Sequence, residues 1–184
     1  MSVKIDFFFK GLTVLAWIIF IGLCIDSGGL IVNAVISLFI NPLASANYWG
    51  GINLYELHKF NQSYFITIIS LLIIVSILKS IMFYLLVNIL HKKKLNLSLP
   101  FNEMLGKYIF NISYLAFGIG FFSYWGKNVL YHLNKISDGV LTLPIQAIKF
   151  EGADVWLFMS IILLIFANIF KKGIKLQSEN ELTV

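Results

Sequence analysis

The sequence contains no arginine, so all 14 of its basic residues are lysines. Lysine carries a flexible point charge, whereas the planar guanidinium of arginine is the group best suited to bidentate recognition of phosphates. The net charge of +5 therefore does not indicate a direct nucleic-acid partner. Lysines in such numbers are typical of segments that flank membrane spans and face an anionic lipid leaflet.

Cysteine is nearly absent as well. Cys24 is the single cysteine of the chain, which excludes an internal disulfide and a cysteine-based zinc cluster. The histidines, His58, His91 and His132, fall in separate predicted loops and form no recognisable ligand set. No nucleophile motif, phosphate-binding loop or paired carboxylates stand out. We therefore expect no cofactor, no bound metal and no enzymatic activity.

Charged residues are scarce, at 12% of the chain, while hydrophobic residues make up 59% and the mean hydropathy is +0.85. A soluble domain usually has about 45–50% apolar and about 25% charged residues. A water-soluble core could not bury that much apolar surface. Because a bilayer requires every backbone polar group to be satisfied internally, we predict an all-α polytopic membrane protein.

The apolar runs predict four transmembrane helices in a single membrane domain of 184 residues. The spans are expected at about 11–30, 64–90, 105–125 and 153–170. The first run extends from Phe7 to Ile40, which is longer than a hydrocarbon core of about 30 Å requires, so part of it must lie outside the core. The remainder should be an apolar extension that ends before Pro42. We predict outer connections at 41–63 and 126–152, a cytoplasmic loop at 91–104 and a cytoplasmic tail at 171–184.

The distribution of lysines predicts the orientation of these spans, because cytoplasmic segments carry an excess of basic residues. The richer side holds Lys4, Lys10, Lys92, Lys93, Lys94, Lys107, Lys171, Lys172 and Lys175. The other side holds Lys59, Lys127, Lys135 and Lys149. Both termini are therefore predicted to be cytoplasmic. Frequent Ile, Lys, Phe and Asn are typical of an AT-rich bacterial genome, so we expect a bacterial inner membrane.

Two charged residues within or beside the spans, Lys79 and Asp26, form the candidate intramembrane polar site. An ammonium group deep in a span costs at least about 2.5 kcal/mol and usually pairs or faces water. Counting along the helices places Asp26 roughly 10 Å farther out than Lys79, but the tilt of both side chains closes part of that gap. The alternatives are that Lys79 extends along its helix toward the interface and that Asp26 lies in the headgroup region.

Other polar and small residues in the spans are expected to mediate contacts between helices. The amides of Asn33, Asn88, Asn111 and Asn168 are predicted to hydrogen-bond between helices. Ala116 and Gly120 have the small-xxx-small spacing that permits close helix contact. Both features predict packing rather than chemistry.

Several segments resemble a known bacterial family of four-helix membrane proteins. These segments are Leu78 to Ser80, Phe83 to Leu86, Pro100 to Asn102 and the ending Phe170 to Val184. In these segments the chain resembles the family catalogued as domain of unknown function 2975. The resemblance implies four helices and a cytoplasmic tail, and it supplies no established activity.

Members of that family are often encoded beside a small helix-turn-helix transcription regulator, which implies a membrane sensor or regulator with a cytoplasmic partner. The candidate partner surface consists of Lys92, Lys93, Lys94, Pro100, Phe101, Glu179, Asn180, Glu181, Leu182, Thr183 and Val184. The alternative is a small channel or transporter that uses Lys79 and Asp26. The expected partners are membrane lipid, the cytoplasmic regulator and further copies of the chain.

Overall fold

Helices make up nearly all of the computed structural model, which describes residues 2–91, 103–137, 148, 150 and 152–181. The helices are α1 (Ser2–Val35), α2 (Tyr55–Phe60), α3 (Gln62–His91), α4 (Glu103–Ile136) and α5 (Ala153–Glu181). Within these ranges no strand forms. Four helical segments, Phe7–Ile40, Gln62–Leu90, Glu103–Ile136 and Ala153–Glu179, are long and apolar enough to cross a membrane. The chain therefore has the all-α architecture of a multi-pass membrane protein.

The first apolar run is helical along its whole length. α1 continues into a π-helical turn over Ile36–Ile40, and a 3-10 helix follows over Pro42–Asn47. The backbone N–H of Asn41 donates to the carbonyl of Ile36 (2.8 Å), and its side chain accepts from the N–H of Leu43 (3.0 Å). Proline suits the first position of the new helix, where its missing N–H is not needed. The apolar run thus ends before Pro42, as predicted.

The connection between α1 and α3 folds into a compact unit. Tyr48 and Ile52 pair their backbones across Gly50 and Gly51, which adopt φ values of 83° and 76°. Glycine is the residue that tolerates such a turn without steric cost. Tyr48 is 1% exposed and Leu57 is fully buried, so this unit packs onto the ends of the helices.

The long helices pack in chain order, α1 against α3, α3 against α4 and α4 against α5. Neighbours run antiparallel: Asn88 Nδ2 donates to Tyr108 Oη (2.8 Å), while Leu78, earlier on α3, faces Gly118, later on α4. α3 is apolar around its whole circumference and is the most buried of the four segments. Little of α1 is buried. The core therefore lies along α3 and α4.

α4 approaches α5 most closely through its small residues. A Cβ at Gly120 would lie 2.8 Å from Cγ of Leu157 on α5. A Cβ at Gly126 would meet the ring of Phe150, which precedes α5. Ala116, one turn from Gly120, is 1% exposed. The prediction of close helix contact is confirmed at Gly120.

Two helices extend beyond the spans predicted from hydrophobicity. α4 continues past Gly126 to Ile136, because Leu130 and Leu133 keep the helical spacing and are fully buried. α5 continues past Lys171 to Glu181. The connection predicted at 126–152 and the tail predicted at 171–184 therefore both begin as helix.

Candidate functional site

Lys79 lies on α3 with a half-buried side chain. Its Nζ is 5.8 Å from the centroid of the Trp156 ring, on the first turn of α5. An ammonium within about 6 Å of an indole face gains a favourable electrostatic interaction, and that gain increases where water is excluded. Lys79 is thus in contact with α5, the helix that carries the C-terminal tail.

Asp26 lies on α1 and is also half-buried. Its Oδ1 accepts a hydrogen bond from Nε1 of Trp49 (3.0 Å), which belongs to the connection after α1. The indole ring lies so close to Gly29 that a Cβ at that position would overlap it. The glycine therefore allows Trp49 to reach the carboxylate across the surface of α1.

Tyr48 fixes the same connection to α1 from the buried side. Its hydroxyl donates to the carbonyl oxygen of Leu30 (2.9 Å). Burial raises the pKa of Tyr48 from 10.0 to about 12, since the phenolate would be desolvated. The phenol thus stays protonated, and remains a donor, across the physiological pH range.

The register between α1 and α3 places Asp26 near the level of Lys79. The rings of Phe20 and Tyr84 are in contact, with centroids 5.8 Å apart. Asp26 follows Phe20 on α1 by the same number of residues as Leu78 precedes Tyr84 on α3. For antiparallel helices, this puts Asp26 within about one helical turn of the level of Lys79. This register gives a smaller separation in depth than the roughly 10 Å from residue counting.

The site that emerges contains two charged side chains and two indoles. Asp26 with Trp49 and Lys79 with Trp156 lie on different parts of the chain but at similar depth. Sequence reasoning identified both charges and missed both indoles. Gly29, close to Asp26 in sequence, leaves the space that the Trp49 ring occupies. That glycine indicates an aromatic contact only once the connection after α1 is known to fold back onto the helix.

The predicted amide contacts between helices are confirmed for Asn88, which joins α3 to α4. Asn33 and Asn168 instead donate to the carbonyls of Gly29 and Leu164 one turn earlier in their own helices. A carbonyl one turn back lies within reach of a helical amide, so no partner helix is required.

The candidate partner surface is described only in part. Glu179 forms an ion pair with Lys175 (3.6 Å) on the exposed side of α5. Asn180 and Glu181 belong to the helix by their backbones. The following members of the surface lie outside the described residues: Lys92, Lys93, Lys94, Pro100, Phe101, Leu182, Thr183 and Val184.

Comparison of the chain with protein-family models, with curated protein sequences and with solved structures finds no match.

Proposed function

We propose that the chain is a non-enzymatic regulator of a bacterial inner membrane, with both termini in the cytoplasm. It would signal through the cytoplasmic end of α5 to a small helix-turn-helix transcription regulator, as the resemblance to domain of unknown function 2975 implies. The observation that carries the proposal is the continuity of α5, which runs as one helix over 29 residues. That helix is roughly 44 Å long, enough to cross the bilayer and project beyond it.

The two ends of α5 have different surroundings. Trp156 near its start touches the half-buried Lys79, whereas Lys175 and Glu179 near its end are exposed and paired with each other. A rigid helix can transmit a change in position from one end to the other. A shift at Lys79, caused by a ligand, lipid or potential, would therefore move the tail.

A small channel or transporter is the second candidate, favoured by a specific observation. Asp26 and Lys79 are opposite charges at similar depth beside membrane-spanning segments, where ionisable groups often mark ion pathways. The contact of Lys79 with an indole and the continuation of α5 to Glu181 favour the regulator instead. The exposed surface of α1 could contact lipid or further copies of the chain in either case.

Deleting Ser178 to Val184 is expected to abolish regulatory output while leaving membrane insertion intact. Lys171, Lys172 and Lys175 remain and suffice to anchor α5 at the inner surface. RNA sequencing would compare the truncated strain with the wild type and with a strain that lacks the whole gene. We expect the truncation to reproduce the transcript changes of the full deletion.

The matched control is Ser178→Ala, which removes only the hydroxyl that donates to the carbonyl of Lys175 (2.8 Å). This variant should keep the wild-type transcript profile. If the truncated strain also keeps that profile, the tail has no role in signalling. If the truncated chain fails to insert, the role of the tail is structural.

The proposed orientation predicts which engineered cysteines are accessible from outside intact cells. After Cys24→Ser, a Ser178→Cys chain should be protected from an impermeant thiol reagent, whereas a Lys135→Cys chain should react. Both side chains are exposed, so protection would report the membrane rather than burial in the protein. Ser137 is less suitable, because it is 4% exposed. Reaction of Ser178→Cys without permeabilisation would contradict the orientation.

A further inference from the structure

A groove lies between the beginning of α4 and the end of α5, away from Lys79 and Asp26. Its volume is about 870 Å³. It is lined by side chains of α4 between Glu103 and Phe110 and by side chains of α5 between Asn168 and Ser178. This volume falls in the range of sites that hold organic ligands. None of its lining residues belongs to the candidate intramembrane polar site or to the candidate partner surface.

Helical spacing explains why these side chains converge. The α4 members recur three and four residues apart, from Glu103 through Gly106 and Lys107 to Phe110. Residues with that spacing share one face of a helix. The lining residues of α5 follow the same spacing, so two helix faces oppose each other. Gly106 lets the faces approach, since a Cβ there would lie 3.5 Å from Cδ1 of Ile174.

The groove is strongly basic at its mouth. It contains Lys107, Lys171, Lys172 and Lys175 against one acidic lining residue, Glu103. Glu103 pairs with Lys107 at 3.8 Å, and both side chains are mostly exposed. The pair of Lys175 with Glu179 is similarly exposed. Ion pairs of this kind are weak and would not hold the lysines away from a phosphate.

The groove becomes less charged with depth. α4 and α5 both enter their apolar segments from this end, so Phe110 and Asn168 lie deeper than Lys107 and Lys172. Asn168 donates to the carbonyl of Leu164 within its own helix. Cationic groups above an apolar wall, at the edge of a membrane span, match a phospholipid with its headgroup above its acyl chains.

We propose that this groove binds the headgroup of an anionic phospholipid. Lys171, Lys172 and Lys175 would contact the phosphate, while an acyl chain would pack deeper in the groove, beside Phe110. A free phosphate would not use the apolar wall, and this distinguishes the lipid from a soluble anion. The proposal concerns lipid binding alone and does not depend on any regulatory output of the tail.

Native mass spectrometry of the detergent-purified full chain, titrated with phosphatidylglycerol or phosphatidylcholine, tests the proposal. The wild type should bind phosphatidylglycerol more tightly. The variant with Lys171→Gln, Lys172→Gln and Lys175→Gln should lose at least about tenfold of that preference, given the usual strength of lysine contacts with anionic lipid. Replacing the same three lysines by arginine should preserve it.

The matched control is Lys127→Gln with Lys135→Gln, which removes exposed charges from the other end of α4. This control should keep the lipid preference. Equal loss in both variants would show a general charge effect and overturn the proposal, as would an unchanged preference in the glutamine variant. Displacement of phosphatidylglycerol by inorganic phosphate at equal concentration would assign the groove to a soluble anion and also overturn it.

Discussion

Replacing Gly120 by leucine is expected to force α4 and α5 apart. A Cβ at this position would lie 2.8 Å from Cγ of Leu157 and 2.9 Å from its backbone nitrogen. A side chain can rotate away, but the backbone of α5 can give way only by moving the helix. Overpacking of a closely packed site typically costs about 1–3 kcal/mol. SDS-induced unfolding followed by tryptophan fluorescence should therefore shift to lower detergent fractions.

Two other glycines provide graded controls for this effect. On exposed α1, a Cβ added at Gly22 would have no neighbouring atom within 4 Å, so Gly22→Leu should unfold like the wild type. Gly118→Ala would meet only the end of the Leu78 side chain at 3.3 Å and should have a small effect. Equal stability of the Gly120→Leu and Gly22→Leu chains would contradict the close packing of α4 and α5.

The Gly120 variant also bears on signalling. The proposed regulator requires that Trp156 stay in contact with Lys79, and Leu157 is its immediate neighbour on α5. A displaced α5 should therefore alter output even where the protein still inserts. Measuring the transcript profile beside the unfolding curve separates loss of coupling from loss of the protein.

The existence of four long helices was predictable from the sequence because the property responsible is local. An apolar run of sufficient length must form a helix if it lies in a bilayer, whatever its neighbours are. The approach of α4 to α5 at Gly120 was predictable for the same reason, since the spacing of small residues is visible in the chain. The partners of those residues, such as Leu157, were not.

The ends of the helices were less predictable. The helix after Gly126 is mixed in composition, and its apolar residues Leu130 and Leu133 are buried in the hydrophobic core. Phe150 covers Gly126 from beyond a long connection. Hydrophobicity predicts only the part of a helix that lies in lipid. A helix can continue beyond that part where packing or an ion pair, such as that of Lys175 with Glu179, stabilises it.

The depth of Asp26 relative to Lys79 required the structure for a different reason. The depth of each residue was counted from the predicted end of its own span, so the errors of two span boundaries add up in the difference. The contact between Phe20 and Tyr84 gives the register of the two helices without reference to either boundary. The indole partners, Trp49 and Trp156, depend on chain reversals that no local pattern specifies.

Removing either charge of the candidate intramembrane polar site is expected to lower stability by more than removing both. Lys79→Met keeps the length of the side chain without its charge, and Asp26→Asn keeps a group that can accept from Trp49. Each single variant leaves the opposite charge half-buried near a membrane span, where charge is costly. In the double variant neither charge remains, so the unfolding free energies should be non-additive by more than about 0.5 kcal/mol.

A third variant separates coupling between the charges from the contact with the indole. Trp156→Leu removes the ring beneath Lys79 and leaves Asp26 and Trp49 intact. If the charges act on each other, the coupling between Lys79→Met and Asp26→Asn should persist in the Trp156→Leu background. Coupling that disappears there would mean that Asp26 senses Lys79 through the position of α5. Additive effects of the two charge variants in the native background would show that Asp26 and Lys79 share a depth without interacting, and the channel or transporter alternative would then lose its specific support.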